Sequence, residues 1–222
     1  MEKAALTMFE YTEYEQRVIA DRRKRPRQDD LISILVHAEI DGLRLSEEQL
    51  LYESLLLLVG GDETTRHVIV GGMYELLRDP ALFDSLVQEP SRIPMAVEEM
   101  LRWVTPIKNM ARTATRDVEL HGQTIAEGEK LLLLYDSGNR DERVFDRPDE
   151  LIIDRPNARN HIAFGFGIHR CMGNRLAEMQ LRILWEELLP RFEKIEVIGE
   201  PEYVQSNFVR GISKLMVRLT PK

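Results

Sequence analysis

The sequence predicts a mainly α-helical protein with a small β region, an α+β fold. Three observations carry this expectation. A helical stretch runs from Ser46 to Arg78-Asp79-Pro80 without a proline, and a second long one runs from about Met172 to Leu189. Strand character broken by turns is confined to Ile107–Tyr135 and to the tail after Phe192. With 222 residues, 43% hydrophobic and 31% charged, the chain has enough material for one soluble domain with a substantial core.

Residues 2–25 form a charged amphipathic pattern ending in Arg22-Arg23-Lys24-Arg25-Pro26-Arg27, which reads as a solvated helix end. A short helix over Leu31–Glu39 and a turn at Asp41-Gly42 follow. Ser46 with Gln49 three residues later forms a capping-box start for the long helix. Within it, Leu55–Val59 is apolar on all sides, so its middle is expected to be buried all round. Gly60-Gly61 then interrupts that helix at a cost of about 1 kcal/mol per glycine against alanine. The helix Pro94–Val104 stops before Pro106 and should bury Val97, Leu101 and Val104. Turns at His121-Gly122 and Glu127-Gly128 divide the strand region, and residues 136–170 are loop-rich.

Composition excludes several classes. A net charge of −8 argues against a dedicated nucleic-acid binder. One cysteine excludes an intramolecular disulfide and makes no demand for an oxidising compartment. The run Leu55–Gly61 is far too short to span a membrane, and Met-Glu-Lys-Ala-Ala at the front has no apolar signal core, so a cytoplasmic protein is expected.

The single cysteine, Cys171, lies in Phe-Gly-Phe-Gly-Ile-His-Arg-Cys-Met-Gly, residues 164–173. A thiolate is one of the few side chains that holds haem iron and pushes electron density onto it, favouring O–O cleavage. Gly165 and Gly167 suit a tight turn where a side chain would collide with a flat macrocycle. His169 can donate to a propionate, and Gly173 allows close backbone approach where a helix begins. The positive end of that helix suits an anionic sulfur. At the middle of the long helix, Gly60-Gly61-Asp62-Glu63-Thr64-Thr65 combines room against a large ligand, a hydroxyl and a carboxylate. Thr64 can bond back to the Gly60 carbonyl and open the helix locally.

These motifs resemble those of the cytochrome P-450 family. Residues 164–173 match its Phe-x-x-Gly-x-(His/Arg)-x-Cys-x-Gly loop, and residues 60–64 its (Ala/Gly)-Gly-x-(Asp/Glu)-Thr pattern. The resemblance implies Cys171 as the axial thiolate of haem b, with Phe164, Gly165, Gly173 and Gly60 beside the macrocycle and His169 and Arg112 on its propionates. It implies Glu63 and Thr64 as the acid and alcohol that manage protons. It also implies a buried, structural triad of Glu99, Arg102 and Arg155. By spacing alone Glu98 reaches Arg102 as well as Glu99 does, and choosing Glu99 rests on the resemblance.

The same resemblance divides one incomplete domain over 1–222. Its parts are the end of a lid-helix region at 1–45, the long distal helix at 46–79 and the Glu-x-x-Arg helix at 94–104. A small sheet at 107–136, a meander and cysteine loop at 137–173, and a proximal helix with C-terminal strands at 174–222 complete it. The N-terminal half of the family fold is expected to be absent. Residues 60–67, 106–112 and 206–211 are similar to those of actinobacterial members that oxidise the cholesterol and cholestenone side chain. The implied activity is therefore O₂-dependent hydroxylation of an apolar, sterol-like substrate, lined by Val59, Ile107, Met110, Phe208 and Val209. Electrons would come from a ferredoxin-type protein with its reductase, as no flavin or nicotinamide fingerprint is present. The alternative is a truncated, catalytically inactive haem-binding remnant.

Overall fold

The computed structural model describes residues 2–222, with side chains from Leu6 onward. The chain divides into two compact units, Met1–Asp62 and Glu63–Lys222, joined within one helix.

In the first unit, α1 (Glu2–Lys24) is followed by α2 (Leu31–His37), whose N-cap Asp30 accepts from the Ser33 N–H at 2.8 Å. The basic run at the end of α1 is ion-paired, Arg22 to Asp30 at 3.2 Å and Arg25 to Asp21 at 2.6 Å. Asp41 and Gly42 both take positive φ and turn a hairpin of β1 (Glu39–Ile40) and β2 (Leu43–Arg44) that the sequence reading treats only as a turn. The next helix, α3 (Glu47–Arg78), opens on a reciprocal cap. The Ser46 N–H donates to Gln49 Oε1 at 2.8 Å, and the Gln49 N–H donates to Ser46 Oγ at 3.2 Å. Ile19, Val36 and Leu50 form the unit's small core.

Two expectations for α3 need correction. Leu56, Leu58 and Val59 are more than half exposed, so Leu55–Val59 is not buried all round. Burial on this stretch ends at Ser54, whose hydroxyl meets that of Tyr11 on α1 at 3.0 Å. Nor do Gly60 and Gly61 interrupt the helix, which runs unbroken through them. Two penalties of about 1 kcal/mol are small beside the cooperativity of a helix of 32 residues.

The second unit begins with the remainder of α3. Asp79 ends that helix and caps α4 (Pro80–Gln88), accepting from the Ala81 N–H at 3.0 Å with proline at the first position. Nothing in the sequence reading anticipated α4, although Asp-Pro is a helix-start signal. The central element is α5 (Ile93–Val104). Ile93, Ala96, Val97, Met100, Leu101 and Val104 face a core shared with Leu76, Leu86, Leu181 and Trp185. The far half of α3 approaches α5 closely because Gly71 and Gly72 stand there. A Cβ at Gly71 would lie 2.9 Å from Val104 Cγ2, and one at Gly72 would lie 2.8 Å from Met100 Sδ. Thr105, left-handed at φ +41° and fully buried, ends α5 ahead of Pro106.

Small antiparallel pairs follow. Strand β3 (Asn109–Thr113) pairs with β6 (Lys130–Leu134), and β4 (Val118–Leu120) with β5 (Gln123–Ile125) across the His121-Gly122 turn. After α6 (Tyr135–Gly138) a loop region leads to α7 (Asn174–Leu188). Strand β7 (Phe192–Val197) pairs with β10 (Val217–Pro221), and β8 (Glu202–Tyr203) with β9 (Ile212–Lys214). Among the described residues no helix is long and apolar enough to cross a membrane.

Candidate functional site

Cys171 is exposed at the end of a closed loop between α6 and α7. Its N–H donates to the Phe164 carbonyl at 2.8 Å, and the Gly165 N–H donates to the Ile162 carbonyl at 2.9 Å. Gly165 and Gly167 take φ of +68° and +76°, the left-handed region open to glycine, which lets the chain fold back between those bonds. A short 3₁₀ turn, Gly167–His169, presents His169 to solvent. A Cβ at Gly173 would stand 4.0 Å from the Cys171 sulfur, and α7 starts at the next residue.

The loop is anchored from α5. Glu99 and Arg102 are fully buried, and the Glu99 carboxylate accepts from Arg102 Nε at 2.7 Å and Nη2 at 2.8 Å. Arg155 Nε donates to both Glu99 oxygens at 3.0 Å, and the Ile152 N–H adds a bond at 2.9 Å. Arg102 reaches on to the Asn139 carbonyl at 2.8 Å. Asn139, itself fully buried, receives the Ile162 N–H at 2.7 Å and donates to Thr105 Oγ1 at 2.8 Å. Glu98 does not turn to Arg102. It takes His161 Nε2 at 3.2 Å and Arg159 Nε at 3.3 Å. Because His161 Nδ1 accepts from the Ala163 N–H, Nε2 carries the proton given to Glu98. The His161 ring also packs on Phe164 at 5.5 Å between centroids. Burial pushes the Glu98 carboxyl up, but His161, Arg159 and Arg175 together hold it below the ordinary carboxylate value.

Asn139, Thr105, Glu98 and His161 are thus positioning groups to which the sequence analysis assigns no such role, Glu98 being weighed there only as a partner of Arg102. The signal for Asn139 was present in Asn139-Arg140-Asp141; the other three look like ordinary polar residues on a helix, at its end and in a loop.

None of the remaining candidates shares a hydrogen bond given above with this anchor. Arg112 sits half-buried on β3, its Nη1 donating to the Ala111 carbonyl at 2.9 Å. Ile107 pairs with Val209 in an isolated bridge, and the Lys108 N–H donates to the Phe208 carbonyl at 2.9 Å. Together with Met110 on β3, these form a partly exposed apolar edge. Glu63 and Thr64 are half-buried on α3, where Glu63 pairs with Arg66 and faces His67. Val59 and Gly60 belong to the first unit, exposed on α3, and nothing lies within 4 Å of a Cβ built at Gly60.

The loop fits a thiolate-bound macrocycle. Cys171 offers a single exposed sulfur of the kind that binds a haem iron as a thiolate. Phe166, Ile168 and Met172 around it are 82%, 96% and 76% exposed, an apolar surface of the kind a flat apolar group covers.

Comparison with known proteins agrees with this reading. The family model for cytochrome P450 matches residues 2–218. The steroid C26-monooxygenase of Mycobacterium tuberculosis is 44% identical over 95% of the chain and 57% of that protein. The enzyme of the same name from Mycolicibacterium smegmatis is 44% identical over 100% and 55%. Among solved structures, cytochrome P450-153 from Novosphingobium aromaticivorans superposes with a TM-score of 0.90 at 45% identity, covering 98% of this chain and 54% of its own. The chain spans about half the length of the curated relatives it matches. It belongs to the cytochrome P450 family, and its mainly α architecture with a small β region is a portion of that fold.

Proposed function

We propose that this cytochrome P450 chain serves a haem-thiolate monooxygenase that hydroxylates an apolar substrate, a sterol side chain at a terminal methyl. The observation that carries the reading is the closed Phe164–Gly173 loop, which presents Cys171 to solvent on a buried, ion-paired anchor. Haem b, which Cys171 would hold, would supply O₂ activation, with two electrons and two protons consumed for each substrate hydroxylated and each water formed.

The chain's own residues do the rest. The Cys171 main chain is fixed by the Phe164 carbonyl, so the sulfur is preorganised at the start of α7, where free N–H groups favour negative charge. His169 and Arg112 supply donors for the two propionates. Glu63 and Thr64 hand protons from solvent toward the oxygen site, the carboxylate exchanging with water and the hydroxyl orienting the transfer. Ile107, Met110, Phe208 and Val209 offer an apolar edge, which gains roughly 25 cal/mol per Å² of hydrocarbon buried and disfavours a charged ligand. Electrons come from a ferredoxin-type protein and its reductase. The name carried by the two mycobacterial relatives supports the sterol substrate.

The test is spectroscopic. In the haem-loaded protein carrying this chain, the ferrous–CO complex should show the red-shifted Soret band of a thiolate ligand, and Cys171→Ala should abolish it. Titration with cholestenone should shift the ferric spectrum. A band that survives Cys171→Ala overturns the ligand assignment. A shift with a fatty acid or terpene but none with cholestenone overturns the sterol.

A further inference from the structure

One turn along α3 from Glu63 stands a histidine that the reading above leaves unused. His67 is 3% exposed, and its Nε2 lies 3.4 Å from Glu63 Oε2. The other carboxylate oxygen, Oε1, is paired with Arg66, whose side chain is 58% exposed. On its far side the imidazole lies against Gly211, where a Cβ would overlap the ring. The space for this histidine therefore exists because residue 211 has no side chain. Its Nδ1 is buried and makes no well-formed hydrogen bond, though the Ile212 backbone favours a proton on the ring, which helps to line a cavity of roughly 60 Å³, room for water.

The ionisable groups facing His67 come from three elements. They are Glu63, Arg66, Tyr74 and Glu75 on α3, Tyr203 on β8, and Arg210 in the loop before β9. Glu63 alone among them stands within ion-pair distance of the ring in the described residues. Burial lowers the imidazole pKa, with Arg66 acting in the same direction. Glu63 and the Ile212 carbonyl oppose this and are outweighed, so the ring is neutral near neutral pH.

We propose that His67 is a positioning residue for Glu63, orienting its carboxylate while neutral and clamping it as an ion pair once protonated. The inference rests on the proton-delivery role proposed for Glu63. Arg66 is exposed and its charge is screened by solvent, whereas His67 is buried and its charge is not. A neutral ring with Nε2 facing the carboxylate orients it while lowering its basicity less than a charged ring does. An imidazolium at the same place stabilises the anion, so Glu63 takes up a proton less readily and coupling of electrons to product falls. The acid limb of coupling should follow the titration of His67.

The measurement uses the haem-loaded protein with ¹⁵N-labelled histidine, observed in its diamagnetic ferrous–CO form. Glu63→Gln should move the His67 imidazole titration to lower pH, because the carboxylate that favours the imidazolium is gone. This readout needs no turnover. In turnover assays His67→Gln, which keeps an N–H donor but cannot titrate, should retain coupling at neutral pH and lose the acid limb. His67→Phe, which removes both the donor and the charge, should reduce coupling about tenfold at neutral pH and likewise lose the acid limb. An imidazole titration unmoved by Glu63→Gln, or an acid limb unchanged in His67→Gln, would overturn the proposal. Unchanged coupling in Glu63→Gln would overturn the role of Glu63 itself, and this inference with it.

Discussion

Replacing Glu99 by alanine should destabilise the fold far more than removal of any exposed carboxylate. The side chain is fully buried and satisfies two guanidinium groups, themselves 0% and 3% exposed, besides the Ile152 N–H. Its loss leaves two positive charges in the interior with no counter-charge, and breaking a buried pair in this way costs about 3–5 kcal/mol. That is a large share of the roughly 5–15 kcal/mol available to a domain. The control is Glu186→Ala, which removes an exposed one-turn pair with Arg182 and should cost no more than about 0.5 kcal/mol. Urea unfolding followed by far-UV circular dichroism measures both. A Glu99→Ala loss below about 1 kcal/mol would refute the buried-charge reasoning. Apolar replacement of all three members should not rescue the site here, unlike the general case. Arg102 also donates to the carbonyls of Asn139, Pro148 and Glu150, and Arg155 to those of Asp146, Arg147 and Glu150. Four of these carbonyls would be orphaned, that of Arg147 keeping the Glu150 N–H, at about 1 kcal/mol or more each.

Gly71→Ala should lower stability by about 1–2 kcal/mol, since the new methyl meets the stiff Val104 side chain and the clash exceeds the helix-propensity gain. Gly61→Ala meets nothing within 4 Å and should raise stability by up to about 1 kcal/mol; equal effects in thermal unfolding would defeat the packing argument. Thr64→Ala should keep substrate binding but divert reducing equivalents to hydrogen peroxide, and unchanged coupling of NADH use to product would make the hydroxyl structural. Acid unfolding should depend on the Glu98–His161 pair. The Glu98 pKa is lowered in the folded protein, so its stabilisation is complete above the unfolded value and is lost as pH falls through the carboxylate range. His161→Gln should therefore be less stable at neutral pH and lose less stability between about pH 5 and 3. An identical pH slope in both proteins would argue against the pair.

The element types and the cysteine loop were legible because their signals are local. Capping at Ser46, the Asp79-Pro80 stop and the glycine pattern before Cys171 each act within a few residues. Burial was not local. Leu55–Val59 looks like a core segment by composition, yet burial on that stretch ends at Ser54. Glu98 and Glu99 are neighbours of equal propensity, and spacing allows either to reach Arg102. What separates them is what α5 meets on each side, Arg155 and Ile152 for Glu99 and His161 for Glu98, tens of residues away in the chain.

That division has a functional consequence. A ligand sulfur must be exposed to be coordinated, yet held firmly enough that coordination does not have to order the loop. Exposure is produced by the glycines of residues 164–173, which leave Phe166, Ile168 and Cys171 facing outward. Rigidity comes from elsewhere, through two buried routes out of α5. One runs from Glu99 through Arg102 and Asn139 to the Ile162 N–H; the other runs from Glu98 through His161 to Ala163 and Phe164. Both meet the loop within three residues of one another, just before the Phe164 carbonyl that fixes the Cys171 N–H. The apolar, exposed part of the loop therefore hangs from a buried, charged root, and the sulfur gains its position through residues outside its own loop segment.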